Sequence, residues 1–93
     1  MFKVNEYFDG KVKSLAFEPK EGNSTLGVLA KGEYEFGTAT IELMTVITGK
    51  MNALLPGNNV WKEYKKGETF KIEKDKKFKV KVDEDTAYLC LYK

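Results

Sequence analysis

The chain of 93 residues contains no histidine and no arginine, and all 16 of its basic residues are lysine. Without imidazole it lacks the commonest transition-metal ligand and the side chain that titrates nearest neutral pH. Without guanidinium it lacks the planar fork that reads guanine and clamps phosphate, which argues against sequence-specific DNA recognition. Any anion must be met by lysine point charges or by backbone N–H groups. Cys90 is the single cysteine, so an intrachain disulfide is excluded, and a reducing compartment, the cytoplasm, is the expected setting. It stands among Tyr88, Leu89, Leu91 and Tyr92, the surroundings of a buried, inert thiol. No apolar run approaches the roughly 18 residues of a membrane span, and the first residues carry no apolar stretch of signal-peptide length. Nucleophile–base pairs, Walker loops and Cys/His metal clusters are missing as well.

What is present suits one small β domain over residues 1–93. Apolar residues make up 42% of the chain and aromatics 13%, enough for a single core rich in strand-forming rings. Lys77-Phe78-Lys79-Val80-Lys81-Val82 alternates strictly, with the lysines on one face and the apolar side chains on the other. Glu33-Tyr34-Glu35-Phe36 alternates acids with rings. Further strands are expected over 11–17, 25–31, 43–48, 51–55, 61–64, 68–72 and 86–92. Gly49-Lys50 reads as a tight hairpin turn joining the strands expected over 43–48 and 51–55. Residues 39–44 are the one weak helical candidate. The five lysines between Lys74 and Lys81 need no role beyond a solvated strand face. Strands at this spacing imply an antiparallel barrel or sandwich whose open mouth can hold one ligand.

Glu42 is followed after six residues by Gly49, and Gly67 opens a second β-type run. This pattern resembles the two half-motifs of a small cupin, so the expected fold is an all-β, jelly-roll-like antiparallel barrel. Most cupins hold a metal on histidines. Here Phe78 falls where the second half-motif would place one, and an apolar ring cannot ligate. No metal and no cofactor are therefore expected. Glu42 shares strand parity with Met44 and Val46, so it points inward if they do. A carboxylate at a barrel mouth can accept hydrogen bonds from sugar hydroxyls or stabilise developing positive charge. Tyr34, Phe36 and Thr38 share parity just upstream, where rings can stack on a planar ligand or on a sugar face. Tyr88, Cys90 and Tyr92 share a face in the last strand. Trp61 and Tyr64 read as structural cover, and Thr45 as a cross-strand packing residue. Read from the residues alone, these features stop at a small β-barrel with a candidate mouth site.

The chain also resembles the small bacterial pyrimidine/purine nucleoside phosphorylases. The resemblance runs through Asn5-Glu6-Tyr7-Phe8, Gly10-Lys11-Val12-Lys13-Ser14, Gly27-Val28, Gly32-Glu33-Tyr34 with Phe36, Met44-Thr45-Val46-Ile47 with Gly49, Leu54-Leu55-Pro56 and Tyr88-Leu89-Cys90. It implies a cupin, often a homodimer, that cleaves purine and pyrimidine nucleosides with inorganic phosphate as co-substrate, giving free base and ribose 1-phosphate. Nucleosides and phosphate are the implied partners; nucleic acid and membranes are not. On that resemblance Glu42 is the catalytic candidate, with Tyr34, Phe36, Thr38, Tyr88 and Lys11 as substrate-binding candidates. Glu73-Lys74-Asp75 stands where the family is expected to turn through proline and glycine. Leu91 stands where an arginine is expected, leaving phosphate to Lys11 or to backbone amides. Two rival readings remain beside it: a non-catalytic sugar- or metabolite-binding cupin, and a basic barrel that binds single-stranded nucleic acid.

Overall fold

The computed structural model describes residues 2–93. The described chain folds into ten strands and no helix: β1 (Lys3–Tyr7), β2 (Val12–Phe17), β3 (Ser24–Leu29), β4 (Gly32–Gly37), β5 (Glu42–Val46), β6 (Lys50–Leu54), β7 (Lys62–Lys65), β8 (Thr69–Ile72), β9 (Lys77–Val82) and β10 (Thr86–Tyr92). No helix of the described residues is long and apolar enough to cross a membrane. The strands form two antiparallel sheets, one of six in the order β1-β2-β3-β10-β5-β8 and one of four in the order β4-β9-β6-β7. The all-β, antiparallel class is as expected. The ladders do not close into one continuous barrel: the sheets face each other as a jelly-roll-like sandwich.

Alternation builds the core. β5 buries Glu42, Met44 and Val46, β9 buries Phe78, Val80 and Val82, and β10 buries Thr86, Tyr88 and Cys90. These inward sets meet between the sheets, as a period of two requires. Most strands lie within a residue or two of expectation, with two corrections. Residues 39–41 are irregular and β5 begins at Glu42, so the weak helical candidate is extended chain. Gly49 does not close a hairpin either, because β5 pairs with β10 and β8 while β6 pairs with β9 and β7. Gly49, with φ of 70°, carries the chain from one sheet to the other. A Cβ there would meet Thr86 Oγ1 at 3.1 Å and Glu84 Oε1 at 3.2 Å, so the crossing is pressed against the β9–β10 turn. The crossing lets β5 and β6 both direct apolar residues into the core from opposite layers.

β1 was not expected as a strand. It pairs with β2 at the edge of the larger sheet, and the turn after it is unusual. Phe8, Asp9 and Gly10 all have positive φ, at 54°, 57° and 86°. Left-handed backbone is uncommon for a residue as bulky as phenylalanine. Here it lays the Phe8 ring against Tyr34, with centroids 5.0 Å apart, and edge-on to Phe36 at 5.7 Å.

Candidate active site

One end of the sandwich is filled and the other is open. At the filled end Met51, Val46 and Val82 are buried, and Tyr64 stacks on Phe70 with centroids 4.5 Å apart. Trp61 lies to one side under the Lys81 ammonium, which sits 4.5 Å above its ring. At the other end the sheets enclose a cavity of about 800 Å³. That exceeds the room a nucleoside needs and falls within the usual range for ligand sites.

The cavity walls differ in chemistry. The six-stranded sheet and the loop after β2 contribute Tyr7, Ser14, Asn23, Glu42, Tyr88 and Tyr92, hydroxyls with one amide and one carboxylate, beside the apolar Leu29 and Met44. The four-stranded sheet contributes Phe36, Phe78 and Val80, with Glu35 at its edge, and Phe8 folds in from the β1–β2 turn. No lysine lines the cavity, so both of its formal charges are negative.

Glu42 is 9% exposed, and its inward parity with Met44 and Val46 puts it in the wall. Tyr92 stands directly opposite it on β10 and Ile72 opposite on β8. Cys90 Sγ donates to Glu42 Oε1 across 3.5 Å. Desolvation by burial raises the Glu42 carboxyl above the ordinary range, and the Cys90 contact partly opposes that rise. Burial likewise pushes the Tyr88 phenol up to about 12 and the Tyr92 phenol upward, so both are neutral donors at physiological pH. The Tyr92 hydroxyl pairs with Thr25 Oγ1 at 2.9 Å.

Tyr88 owes its place to Gly27, its cross-strand partner on β3, which in turn faces Ser14 on β2. A Cβ on Gly27 would stand 2.4 Å from Tyr88 Cζ, inside any tolerable contact. The missing side chain therefore lets the phenol lie across β3 toward Ser14. This glycine carries no positive φ; its function is space.

Among the residues singled out from sequence, Glu42, Phe36 and Tyr88 come together on the cavity wall. Tyr34 is buried behind it, donating from its hydroxyl to the Ala30 carbonyl at 2.6 Å and packing between Phe8 and Phe36. Thr38 is buried outside the wall as well. Its hydroxyl donates to the Glu73 carbonyl at 2.6 Å and accepts from the Lys76 N–H at 3.0 Å, pinning the β8–β9 turn to the end of β4. That turn runs through Glu73-Lys74-Asp75, with Asp75 at φ 59°. Lys11 is exposed on the β1–β2 turn and does not line the cavity. Leu91 faces away from the cavity, on the opposite parity to Cys90 and Tyr92. Thr45 meets Thr69 across strands, hydroxyl to hydroxyl at 2.7 Å. Sequence reasoning missed Tyr7, Phe8, Ser14 and Asn23 as wall residues. For Tyr7, Phe8 and Ser14 the one local signal is membership of the motif Asn5-Glu6-Tyr7-Phe8 and its continuation to Ser14; Asn23 lies outside it.

The metal centre common among cupins does not fit this wall. Glu42 and Cys90 bring two potential ligand side chains 3.5 Å apart, and the chain has no histidine to join them. Among the described residues no three His, Cys, Asp or Glu side chains stand close enough to hold an ion.

Comparison with known proteins agrees with this fold. The chain is similar in fold to a cupin of the RmlC type from Shewanella frigidimarina, with a TM-score of 0.73 at 13% identity over 97% of this chain and 81% of that one. It is more similar to a crystal structure of a protein of unknown function from Vibrio parahaemolyticus, with a TM-score of 0.93 at 41% identity, covering 97% of this chain and 96% of that one. A protein of Alcanivorax borkumensis named pyrimidine/purine nucleoside phosphorylase is 58% identical over 92 residues, covering 99% of this chain and 98% of its own. The family model described as pyrimidine/purine nucleoside phosphorylase matches residues 2–92. With nearly its whole length matched at that identity, the chain belongs to the pyrimidine/purine nucleoside phosphorylase family.

Proposed function

We propose that this protein cleaves purine and pyrimidine nucleosides with inorganic phosphate, without metal or cofactor, releasing free base and ribose 1-phosphate. The observation that carries the reading is Glu42: a carboxylate buried in the wall of an open cavity, with hydroxyls beside it and rings opposite. The C1′–N bond breaks with its electron pair leaving on the base, which takes up the proton carried in by hydrogen phosphate. A phosphate oxygen then bonds to C1′ and the sugar 1-phosphate results. As the bond to the base lengthens, positive charge develops on the ribose, and an ionised Glu42 stabilises that charge. The neutral hydroxyls of Tyr88, Ser14 and Tyr92 suit the sugar, which presents hydroxyls of its own. Phe36 and Phe8 suit the base, since a ring face stacks on any base without reading its edge, and broad base tolerance follows. Tyr34 and Thr38 enter as supports, Tyr34 behind the stacking rings and Thr38 beneath the rim. Phosphate meets the neutral donors of the mouth, Asn23 and Thr40, and Lys11 has no assigned part in the cavity. Holding two reactants together removes much of the bimolecular entropy cost, about 7–11 kcal/mol in favourable cases.

The free buried thiol suits a cytoplasmic enzyme. A homodimer is part of the same reading. The outer face of the six-stranded sheet aligns Val4, Leu15, Leu26 and Leu89 across four strands, with Val28 beside them. Leu26 is 47% exposed and Val28 51%, neighbouring apolar side chains that suit burial against a second copy. A two-fold axis through that stripe would cover it with itself. Sedimentation should give twice the chain mass, and Leu26→Glu should give the single mass.

Uridine, inosine and adenosine, each with and without phosphate, test the chemistry. Phosphate-dependent release of base from all three supports the reading. The rival is a non-catalytic sugar- or metabolite-binding cupin, favoured by the absence of any lysine in the cavity wall. Nucleoside binding without turnover would select it.

A further inference from the structure

Among the described residues the Glu42 carboxylate has one hydrogen-bond donor, the Cys90 thiol, and no cation within ion-pair distance. The register explains the meeting. Tyr92 pairs with Glu42 and Cys90 with Met44, so the thiol reaches the carboxylate on the diagonal of the inward face. Resting on the reading of Glu42 as the group that stabilises the ribose cation, we propose that Cys90 is a positioning residue. In this role its S–H donates to Glu42 Oε1, holds that carboxylate toward the cavity and favours the ionised form.

The thiol suits the task because it stays a thiol. Desolvation and then the Glu42 charge push Cys90 well above its ordinary range, so at working pH it is a donor and not a competing anion. The other titratable groups facing Glu42 are few. Tyr88 and Tyr92 lie on the same strand as Cys90, Tyr7 lies on β1, and Glu35 lies on β4 across the cavity. The β8 neighbour, Ile72, is apolar. None of these supplies the carboxylate with a second donor among the described residues. Removing the thiol therefore strips the ionised carboxylate of its hydrogen bond while leaving the surrounding burial in place. The carboxyl then rises further, because a hydrogen bond to the charged form is what had opposed desolvation.

The test is the pH profile of kcat/KM for base release by wild type, Cys90→Ala and Cys90→Ser. In Cys90→Ala the acid limb should move to higher pH by about half a unit to one unit. kcat should fall several-fold with KM little changed, and Cys90→Ser, which keeps a donor, should bring the limb back. The limb must persist in Glu35→Gln, the other carboxylate of the cavity. A second readout needs no cysteine variant: Cys90 is the only cysteine, so the infrared S–H stretching band reports this one group. In wild type the band should shift as Glu42 ionises, and in Glu42→Gln it should hold still across the same pH range. A Cys90→Ala acid limb superimposable on wild type, or an S–H band indifferent to pH in wild type, overturns the positioning role. If Glu42→Gln turns over like wild type, the reading of Glu42 fails instead.

Discussion

The filled and open ends of this sandwich are made by the same strands under the same alternation, yet they differ in what the inward positions hold. At the filled end β6, β7 and β8 bring Met51, Tyr64 and Phe70 together, with the Tyr64 hydroxyl as the one polar side-chain group among them. At the open end the matching inward positions carry Ser14, Glu42, Tyr88 and Tyr92, and Gly27 presents no side chain at all. Larger apolar side chains at these positions would have filled the cavity and strengthened the core. The protein instead keeps a buried carboxylate whose desolvation works against the fold. Stability is thus concentrated at one end and chemistry at the other.

The largest expected effect separates the two ends at Glu42. Glu42→Gln should lower kcat by about 100- to 1,000-fold, the scale seen when a transition-state stabiliser is removed. It should also raise the melting temperature at neutral and alkaline pH. The carboxyl is raised in the folded state relative to the unfolded chain, so its contribution to stability is complete below the unfolded value. That contribution is lost as pH climbs through the raised value, and a neutral amide escapes the loss. Melting curves across pH should therefore show the gain of Glu42→Gln shrinking as the medium is acidified. A gain that grows toward acid would mean the carboxyl is lowered, not raised.

Met51→Ala breaks the comparison from the filled side. Met51 is fully buried, and its truncation should cost about 2–5 kcal/mol by denaturant titration. Turnover per folded molecule should stay at the wild-type value, since Met51 does not line the cavity. A selective loss of kcat there would show that the two ends are not independent. Gly27→Ala sharpens the boundary. The added methyl collides with the Tyr88 ring, and the overpacking should cost about 1–3 kcal/mol. With the phenol displaced, the KM for nucleoside should rise at least as clearly as kcat falls. A variant with wild-type KM would remove Tyr88 from the substrate wall.

How much of this was visible in the sequence depended on whether the signal was local. β9 was legible because its lysines alternate with apolar residues without interruption, β10 because it is a run of rings and aliphatic side chains, and the inward parity of Glu42 followed from Met44 and Val46 two and four residues on. β1 was not, because every residue of that edge strand is exposed or half-buried and its alternation carries no contrast. Gly49-Lys50 correctly marked a change of direction. A turn signal does not say which sheet receives the next strand, and here the chain crosses layers. The same limit hid half the cavity wall. Tyr7, Ser14 and Asn23 reach Glu42 only through the order β1-β2-β3-β10-β5, a non-local arrangement that no short window encodes. Tyr34 and Thr38 show the converse: their parity marked them as inward, but inward includes positions behind the wall, where backbone carbonyls claim their hydroxyls.

The most direct measurement is a crystal structure of the protein soaked with phosphate and a nucleoside whose C1′–base bond resists cleavage. The ribose should lie in the open end with a hydroxyl or C1′ against the Glu42 carboxylate, and the base should lie against Phe36 and Phe8. A ligand seated on the outer lysine face, with the cavity still empty, would contradict the assignment of chemistry to the open end.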